Sequence, residues 1–304
     1  MHVTIRFLIF GTADMLDKLV IFGVGLIGGS LALALKRAGA VQHVVGVGRG
    51  GENLRNALEL GVVDQAETNA AHAVVDAEII VLATPVAQIP AVMAAIAPHL
   101  PSNVIITDVG STKSDVINNA RQQLPQHIAR FIAGHPIAGA EKSGVTAARA
   151  DLFEGKNVVL TPTAETDPQA LEMVRQLWQT TGAKVSEMSA AAHDDIFAAV
   201  SHLPHLLAFA LVDEIASRPN AAQLFDFAAS GFRDFTRIAG SSPEMWRDIS
   251  LANREALLNE LSAYQNELLR LCTLLEKSDG DGLQALFEQA SQARNNWMHR
   301  QASK

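Results

Sequence analysis

The sequence predicts two architectures in succession, an α/β domain built on a parallel sheet and then an all-α domain. Three observations carry this. Short, continuously apolar runs alternate with helical stretches through the first half of the chain, the pattern of strands covered on both faces. A glycine-rich turn joins the first apolar run to the first helical stretch. After about residue 188 the strand-like runs stop and only helical periods remain.

In order, "KLVIF" (18–22) is the first strand and "LALALKRAGA" a helix closed near Gly39. A strand is expected at 43–48 and a helix in "ENLRNALELG", ending at Gly61. "AEIIVLAT" (77–84), "NVIITDVG" (103–110), "RFIAGHP" and "NVVLTP" supply further strands. In the second half, "AAAHDDIFAAVSHLPHLLAFALVDEIA" is helical in period. A single long helix is expected from Ser242, as cap, and Pro243, in its first turn, to the "TLLE" segment. Its apolar stripe is Ile249, Leu257, Leu261, Tyr264, Leu268, Leu271 and Leu275, and "GDG" separates it from a last helix. The expected organisation is an N-terminal extension at 1–14, with Met15 as a natural start, an α/β domain at 15–188 and a helical domain at 189–304.

Bulk properties narrow the function classes. A net charge of −8 argues against a broad nucleic-acid footprint. The first apolar run is too short to span a membrane, so no membrane partner is expected. The single Cys272 excludes an intramolecular disulfide and fits a reducing, cytoplasmic compartment.

Gly23, Gly25 and Gly28 form G-x-G-x-x-G between a strand and a helix, the context of a dinucleotide-binding (Rossmann-type) domain. Gly23 permits the tight turn, Gly25 the approach of a pyrophosphate, and Gly28 close helix–sheet packing. Leu26 and Ile27 lie in the same loop, where the free N–H groups of the helix start face the phosphates. An NAD-binding unit ordinarily ends its second strand with an acid that grips the ribose hydroxyls. Gly48 and Arg49 stand there instead. A guanidinium pairs with a 2′-phosphate, so NADP is the expected cofactor, with NAD still possible. No Ser or Thr is near in sequence, which leaves Asn53 and the backbone to complete that subsite.

Ligands of open α/β sheets sit at the carboxyl ends of the strands, and Asp108, Ser111 and His135 all fall at such ends. "SHLPH" (201–205) and "GFRDFTRIAGSSPEMWRDI" (231–249) lie in the helical half. His202 and His205 share a helix face with His193 and Asp194 near, which admits a metal reading, but Pro204 interrupts the ladder and no metal is expected. Lys113 reads as a solvated side chain at a helix start.

The ordered strings "GVGLIGGS", "ATPV", "DVGSTK", "GHPIAGAEKSG", "SHLPH" and "GFRDFTRIA" closely resemble the prephenate, arogenate and cyclohexadienyl dehydrogenases of tyrosine biosynthesis, from about residue 17 onward. The resemblance implies oxidative decarboxylation of a cyclohexadienyl acid, prephenate or arogenate, by hydride transfer to NAD(P). It makes His135 the general base for the ring hydroxyl, with Ser111 bonded to both that hydroxyl and His135. It makes Arg237 the ligand of a substrate carboxylate, supported by Asp234 and Trp246. His205 contacts the substrate side chain with His202 nearby, and Glu141 is a gate or supporting acid. Thr84, Pro85 and Asp108 join the cofactor side. The helical half is expected to form a homodimer. Only "QASK" follows the last helix, so neither a fused chorismate mutase nor an ACT domain is expected. A β-hydroxyacid or imine reductase of the same build is the alternative enzyme, and an NADP-binding protein without catalysis the alternative class.

Overall fold

The structure, a computed structural model, describes residues 15–139 and 142–302, so the expected extension at 1–14 lies outside the described residues. It divides into two compact units, one ending at Arg254 and one starting at Glu255. The first unit runs past residue 188 because the helices that follow pack back onto the sheet domain. Trp246 and Ile249 join its core, and Asn253 and Asp194 bond to one another and to the end of a sheet strand's connection.

Six parallel strands form the main sheet: β1 (Leu16–Phe22), β2 (Val41–Val47), β3 (Gln65–Glu67), β4 (Ile79–Leu82), β5 (Ile105–Asp108) and β6 (Phe131–Ile132). Their order is β3-β2-β1-β4-β5-β6. Helices α1 (Leu26–Arg37), α2 (Glu52–Glu59), α3 (Ala70–Ala73), α4 (Ile89–Ile96) and α5 (Ser114–Gln123) provide the crossovers. Successive strand residues point to opposite faces, and both faces here are covered. Leu19 and Ile21 therefore enter one core cluster, with Leu31, Leu35 and Val44, while Val20 and Phe22 enter the other, with Val45, Ile80 and Leu82. This is why "KLVIF" has no polar alternation. Each such side chain contributes roughly 1.5–3 kcal/mol of transfer free energy. Gly39 and Gly61 close α1 and α2 at φ 65° and 67°, a region open to glycine.

"RFIAGHP" is not one strand. It divides into β6 and β7 (Gly134–Pro136), and β7 belongs to a second sheet with β8 (Asn157–Leu160) and β9 (Lys184–Glu187), in order β7-β8-β9. His135 is thus mid-strand in the small sheet, just beyond the end of β6. The cause lies in Asp108 and Lys113, both fully buried and ion-paired. Lys113 Nζ donates to the Gly134 carbonyl at 2.7 Å, and the Gly134 N–H donates to Asp108 at 3.1 Å. The Gly110 N–H donates to the same carboxylate at 2.7 Å. A Cβ on Gly134 would lie 3.1 Å from the Asp108 carbonyl oxygen, a tight contact that glycine avoids. Two sequence-based expectations are corrected here. The Asp108 carboxylate is not free for a cofactor, because this bracket consumes it, and Lys113 is not a solvated side chain.

Helix α6 (Pro168–Thr180), capped by Asp167 onto the Gln169 N–H, leads to β9. Helix α7 (Ala190–Phe197) continues through a π-turn at Ala198–His202 into α8 (Leu203–Ala216), with Pro204 in the first turn of α8. By length and composition 190–216 could cross a membrane. In this fold it delivers the buried His193, Asp194 and His202 to the sheet domain. Helices α9 (Ala221–Asp226) and α10 (Ser230–Thr236) follow. The long helix expected from Ser242 is two helices, α11 (Pro243–Ala252) and α12 (Arg254–Glu276). The Ser242 cap and Pro243 stand as expected. The break is at Asn253, whose amide is held by the Asp194 carbonyl at 2.8 Å and faces His202 Nδ1 at 3.1 Å.

In the second unit, most of α12 and α13 (Gly280–Ala302) are joined at Lys277–Asp279, with Ser278 in the left-handed region at φ 52°. Leu268, Leu269 and Leu275 on α12 and Phe287 and Trp297 on α13 are exposed.

Lys113→Met keeps the volume but leaves Asp108 buried and unpaired, which costs about 3–5 kcal/mol. Urea unfolding should show that loss, and adding Asp108→Leu should restore a substantial part of it; a single variant as stable as the parent would refute the bracket.

Candidate active site

The sheet order reverses between β1 and β4, and a crevice opens at their carboxyl ends. Gly23 follows β1 at φ +93°, and a Cβ there would lie 2.6 Å from the Ala83 carbonyl oxygen beyond β4. A Cβ on Gly28 would lie 2.4 Å from the Gly23 carbonyl oxygen and 2.9 Å from Ile21. Both glycines are therefore steric requirements. A Cβ on Gly25 would meet nothing within 4 Å, so the glycine there leaves open space at the start of α1. That helix start has no side-chain cap and no acid in its first turn, while Leu26 and Ile27 pack their side chains against the core. Free N–H groups, open space and an uncompensated positive dipole end fit a pyrophosphate. Thr84, after β4, keeps its buried Oγ1 without a protein partner, and Pro85 beside it is exposed.

At the end of β2, a Cβ on Gly48 would meet nothing closer than Leu54 at 3.9 Å, and Arg49 is exposed. Asn53 is not available there. Its amide donates to the Val24 carbonyl at 2.8 Å and its oxygen accepts from the Val145 N–H at 3.0 Å, tying the glycine loop to the turn at 145–147. The fold supplies a hydroxyl residue that the sequence order hid. Thr68, after β3, lies beside Gly50, with its methyl 3.6 Å from where a Cβ would stand.

Four histidines gather at the sheet ends. His135 Nδ1 and His193 Nε2 are 2.8 Å apart, and His193 Nδ1 is 2.8 Å from Asp194 Oδ1. Asp194 also accepts from the backbone N–H groups of Lys113 and Ser114, both at 2.8 Å. Burial alone would raise the Asp194 pKa, but hydrogen bonds from His193, Ser114 and Lys113 outweigh it and the group stays low and ionised. The Phe197 ring packs against both imidazoles, with centroids 4.9 and 4.5 Å away. Burial, and then the nearness of His193, Lys113 and His202, hold His135 well below the ordinary histidine range. Burial likewise lowers His193, against the pull of Asp194.

Ser111 is half-buried, and its hydroxyl makes no hydrogen bond to His135; His193 holds that imidazole instead. His202 is buried, with Nδ1 facing the Asn253 amide at 3.1 Å and Nε2 without a protein partner; burial pushes its pKa down to about 4. His205 donates from Nδ1 to the Ser201 carbonyl at 2.8 Å and stacks on Trp246, with centroids 3.7 Å apart. Trp246 therefore braces His205. Burial lowers the His205 pKa, and the Arg237 charge lowers it further, which places Arg237 on the same side of the site. Arg237 and Asp234 are both exposed. Glu141 lies outside the described residues. His193, Asp194 and Asn253 are the residues that sequence reasoning missed. The only signal for His193 and Asp194 was their adjacency ahead of "SHLPH", and Asn253 carried none.

Residues 31–187 match the family model for the nucleotide-binding domain of prephenate dehydrogenase, and residues 189–289 match the model for its dimerization domain. The chain belongs to the prephenate dehydrogenase family. It is 39% identical over 284 residues to prephenate dehydrogenase of Bacillus subtilis, covering 93% of this chain and 76% of that one. It is 37% identical to cyclohexadienyl dehydrogenase of Zymomonas mobilis, covering 91% and 94%. Among solved structures, prephenate dehydrogenase of Aquifex aeolicus in complex with hydroxyphenyl propionate and NAD+ superposes with a TM-score of 0.87 at 35% identity, over 93% of this chain and 99% of that one. Synechocystis arogenate dehydrogenase superposes with a TM-score of 0.78 at 34% identity, over 92% and 99%. Membership of this family makes the chain an NAD(P)-dependent dehydrogenase.

The buried histidines tie stability to pH. An unfolded histidine takes up a proton near its ordinary value, about 6.5. Folded His202 resists protonation down to about 4, and His135 and His193 are lowered as well. Between those limits the unfolded state binds more protons, so stability is full above the ordinary histidine range and falls as the pH drops toward the folded value. Thermal unfolding at stepped pH should show this slope. His202→Gln should flatten it whatever its effect on the absolute Tm, and an unchanged slope would count against the assignment.

Proposed function

We propose that this protein oxidatively decarboxylates prephenate, arogenate or both, giving 4-hydroxyphenylpyruvate or tyrosine, in tyrosine biosynthesis. The observation that carries the reading is a neutral imidazole, His135, held at the strand ends beside the glycine loop that fits a pyrophosphate. Bound NAD(P)+ supplies the hydride acceptor. The substrate's hydroxyl-bearing ring carbon gives up hydride, and His135 accepts the hydroxyl proton. The bond from the ring to its carboxylate then breaks, CO2 leaves, the electron pair moves through the ring onto the new carbonyl oxygen, and that oxygen takes back a proton from His135 as the ring becomes an aromatic phenol. The half-buried Ser111 binds the same hydroxyl. Arg237 binds a substrate carboxylate through its planar fork, and His205, braced by Trp246, meets the side chain. His202 lies nearby. Asp234 supports Arg237, and the role that the resemblance implies for Glu141 is that of a gate or supporting acid.

We infer that NADP is the preferred cofactor. The 2′-phosphate would sit over Gly48, where there is no side chain, against the Arg49 guanidinium, with Thr68 beside it. Gly23, Gly25 and Gly28, with the N–H groups of Leu26 and Ile27, would hold the pyrophosphate, and Thr84 and Pro85 would line the nicotinamide side. The NAD+-bound Aquifex relative shows NAD+ in that protein. The helical part after residue 188 is read as the dimerisation domain, supported by the family match and by the exposed apolar side chains of α12 and α13. Sedimentation should give twice 32.5 kDa. A cytoplasmic location belongs to the same reading, supported by the single cysteine.

An absorbance assay crossing prephenate and arogenate with NAD and NADP tests the activity; failure of all four pairs overturns it. His135→Asn should keep cofactor affinity and lower kcat on the order of 10²–10⁴-fold. Arg49→Ala should lower kcat/KM for NADP by about tenfold or more while leaving NAD little changed, since an ion pair to a phosphate is worth roughly 1.5–3 kcal/mol. A parent enzyme that prefers NAD refutes the cofactor choice alone.

A further inference from the structure

We propose that His193 and Asp194 are positioning residues that lock His135 into the tautomer needed to accept a proton; the inference rests on the reading of His135 as the proton acceptor. The argument is one of hydrogen-bond polarity. Asp194 is ionised and has no proton to give, so His193 Nδ1 must donate to it across 2.8 Å. A neutral imidazole with a proton on Nδ1 has none on Nε2, so His193 Nε2 is an acceptor. His135 Nδ1, 2.8 Å away, must then donate to it. That leaves His135 Nε2 as a bare lone pair, the form a base requires. Without the chain, an isolated imidazole would favour the opposite tautomer, with its proton on Nε2.

The surroundings keep the chain from slipping. The Asp194 carboxylate sits at the start of α5, with the Lys113 and Ser114 N–H groups on Oδ1 and Oδ2 and the positive end of the helix dipole behind them. Asn253 holds the Asp194 carbonyl, and Phe197 packs against both rings. His193 is fully buried, and its two ring nitrogens have no other partners among the described residues. The remaining charged or titratable groups near the chain are Lys113 and Asp108 from the β5–α5 connection, Asp115 on α5 and His202 from the π-turn. Lys113 is committed to Asp108 and to the Gly134 carbonyl, and His202 to Asn253. When His135 takes up a proton at Nε2, its Nδ1–H bond to His193 strengthens and shares the new charge toward the Asp194 carboxylate.

NMR of the whole enzyme with ¹⁵N-labelled histidine reads the tautomer directly and needs no substrate; His135→Asn identifies the His135 signals by their loss. In the parent, above the histidine titration range, His135 should carry its proton on Nδ1. In His193→Ala it should move toward the Nε2–H form, and kcat should fall on the order of tenfold to a hundredfold. The Kd for NADP, read by fluorescence, should stay within about twofold, well under 1 kcal/mol. His193→Gln places an amide oxygen near the lost Nε2. It should hold the Nδ1–H tautomer and recover part of the rate. A parent His135 protonated on Nε2 overturns the proposal, as does a His193→Ala enzyme with tautomer and kcat unchanged. Equal losses of rate and of cofactor affinity in both variants would mark His193 as merely structural and overturn it too. An enzyme inactive in every substrate–cofactor pair but with the expected tautomers would sink the proposed function and leave the hydrogen-bond chain standing.

Discussion

The buried pair of Lys113 and Asp108 is the constraint on which the rest depends. It spans the gap between the parallel sheet and the small second sheet, and it holds both backbone groups of Gly134. The residue after that glycine is His135. Burying two charges carries a large desolvation cost, and a salt bridge alone repays it poorly. Here the carboxylate also accepts from two backbone N–H groups and the ammonium also donates to a carbonyl, so the pair is satisfied as a network. The return is positional, because the proposed base is fixed to the strand that ends the nucleotide-binding sheet.

The same pair sets the electrostatics of the histidine cluster. Burial disfavours positive charge on His135, His193 and His202 alike, and the buried Lys113 cation acts in the same direction on the first two. Asp194 opposes this for His193, which it touches, and for His202. The cluster is therefore neutral where an exposed histidine would be half-charged, and it is polar without being ionic. Neutral rings can stack and pack, as His205 does on Trp246 and as His135 and His193 do on Phe197. Uptake of protons at low pH destabilises the same arrangement.

The nucleotide end is built by a different rule, which is emptiness. Gly23 and Gly28 are glycines because backbone already occupies the place of a Cβ. Gly25 faces open space and a Cβ on Gly48 would touch only Leu54, at 3.9 Å, so a side chain at either position would fill what the fold leaves clear. The steric glycines would be required by the fold with or without a ligand. The open ones are better explained by a ligand, and this is why the missing acid at the end of β2 bears on which nucleotide enters and not on whether one does.

The sequence by itself determined the alternation of strands and helices, the glycine turn, the Ser242 cap and the family. Each of these rests on local spacing or on short ordered strings, which survive without knowledge of the fold. Periodicity could not divide "RFIAGHP" between two sheets, because the division is made by Asp108 and Lys113, more than twenty residues earlier. Nor could it place a break at Asn253, which has no Gly or Pro beside it and is held by contacts with Asp194 and His202. Asp108 looked like a cofactor ligand and Lys113 like a surface residue, since one-dimensional reading registers charge but not burial. Thr68 entered the picture, and His193 took its place beside His135, only through neighbours distant in the chain. Tertiary structure decided which polar groups are buried, and burial decides who must bond to whom, since a buried polar group without a partner is costly.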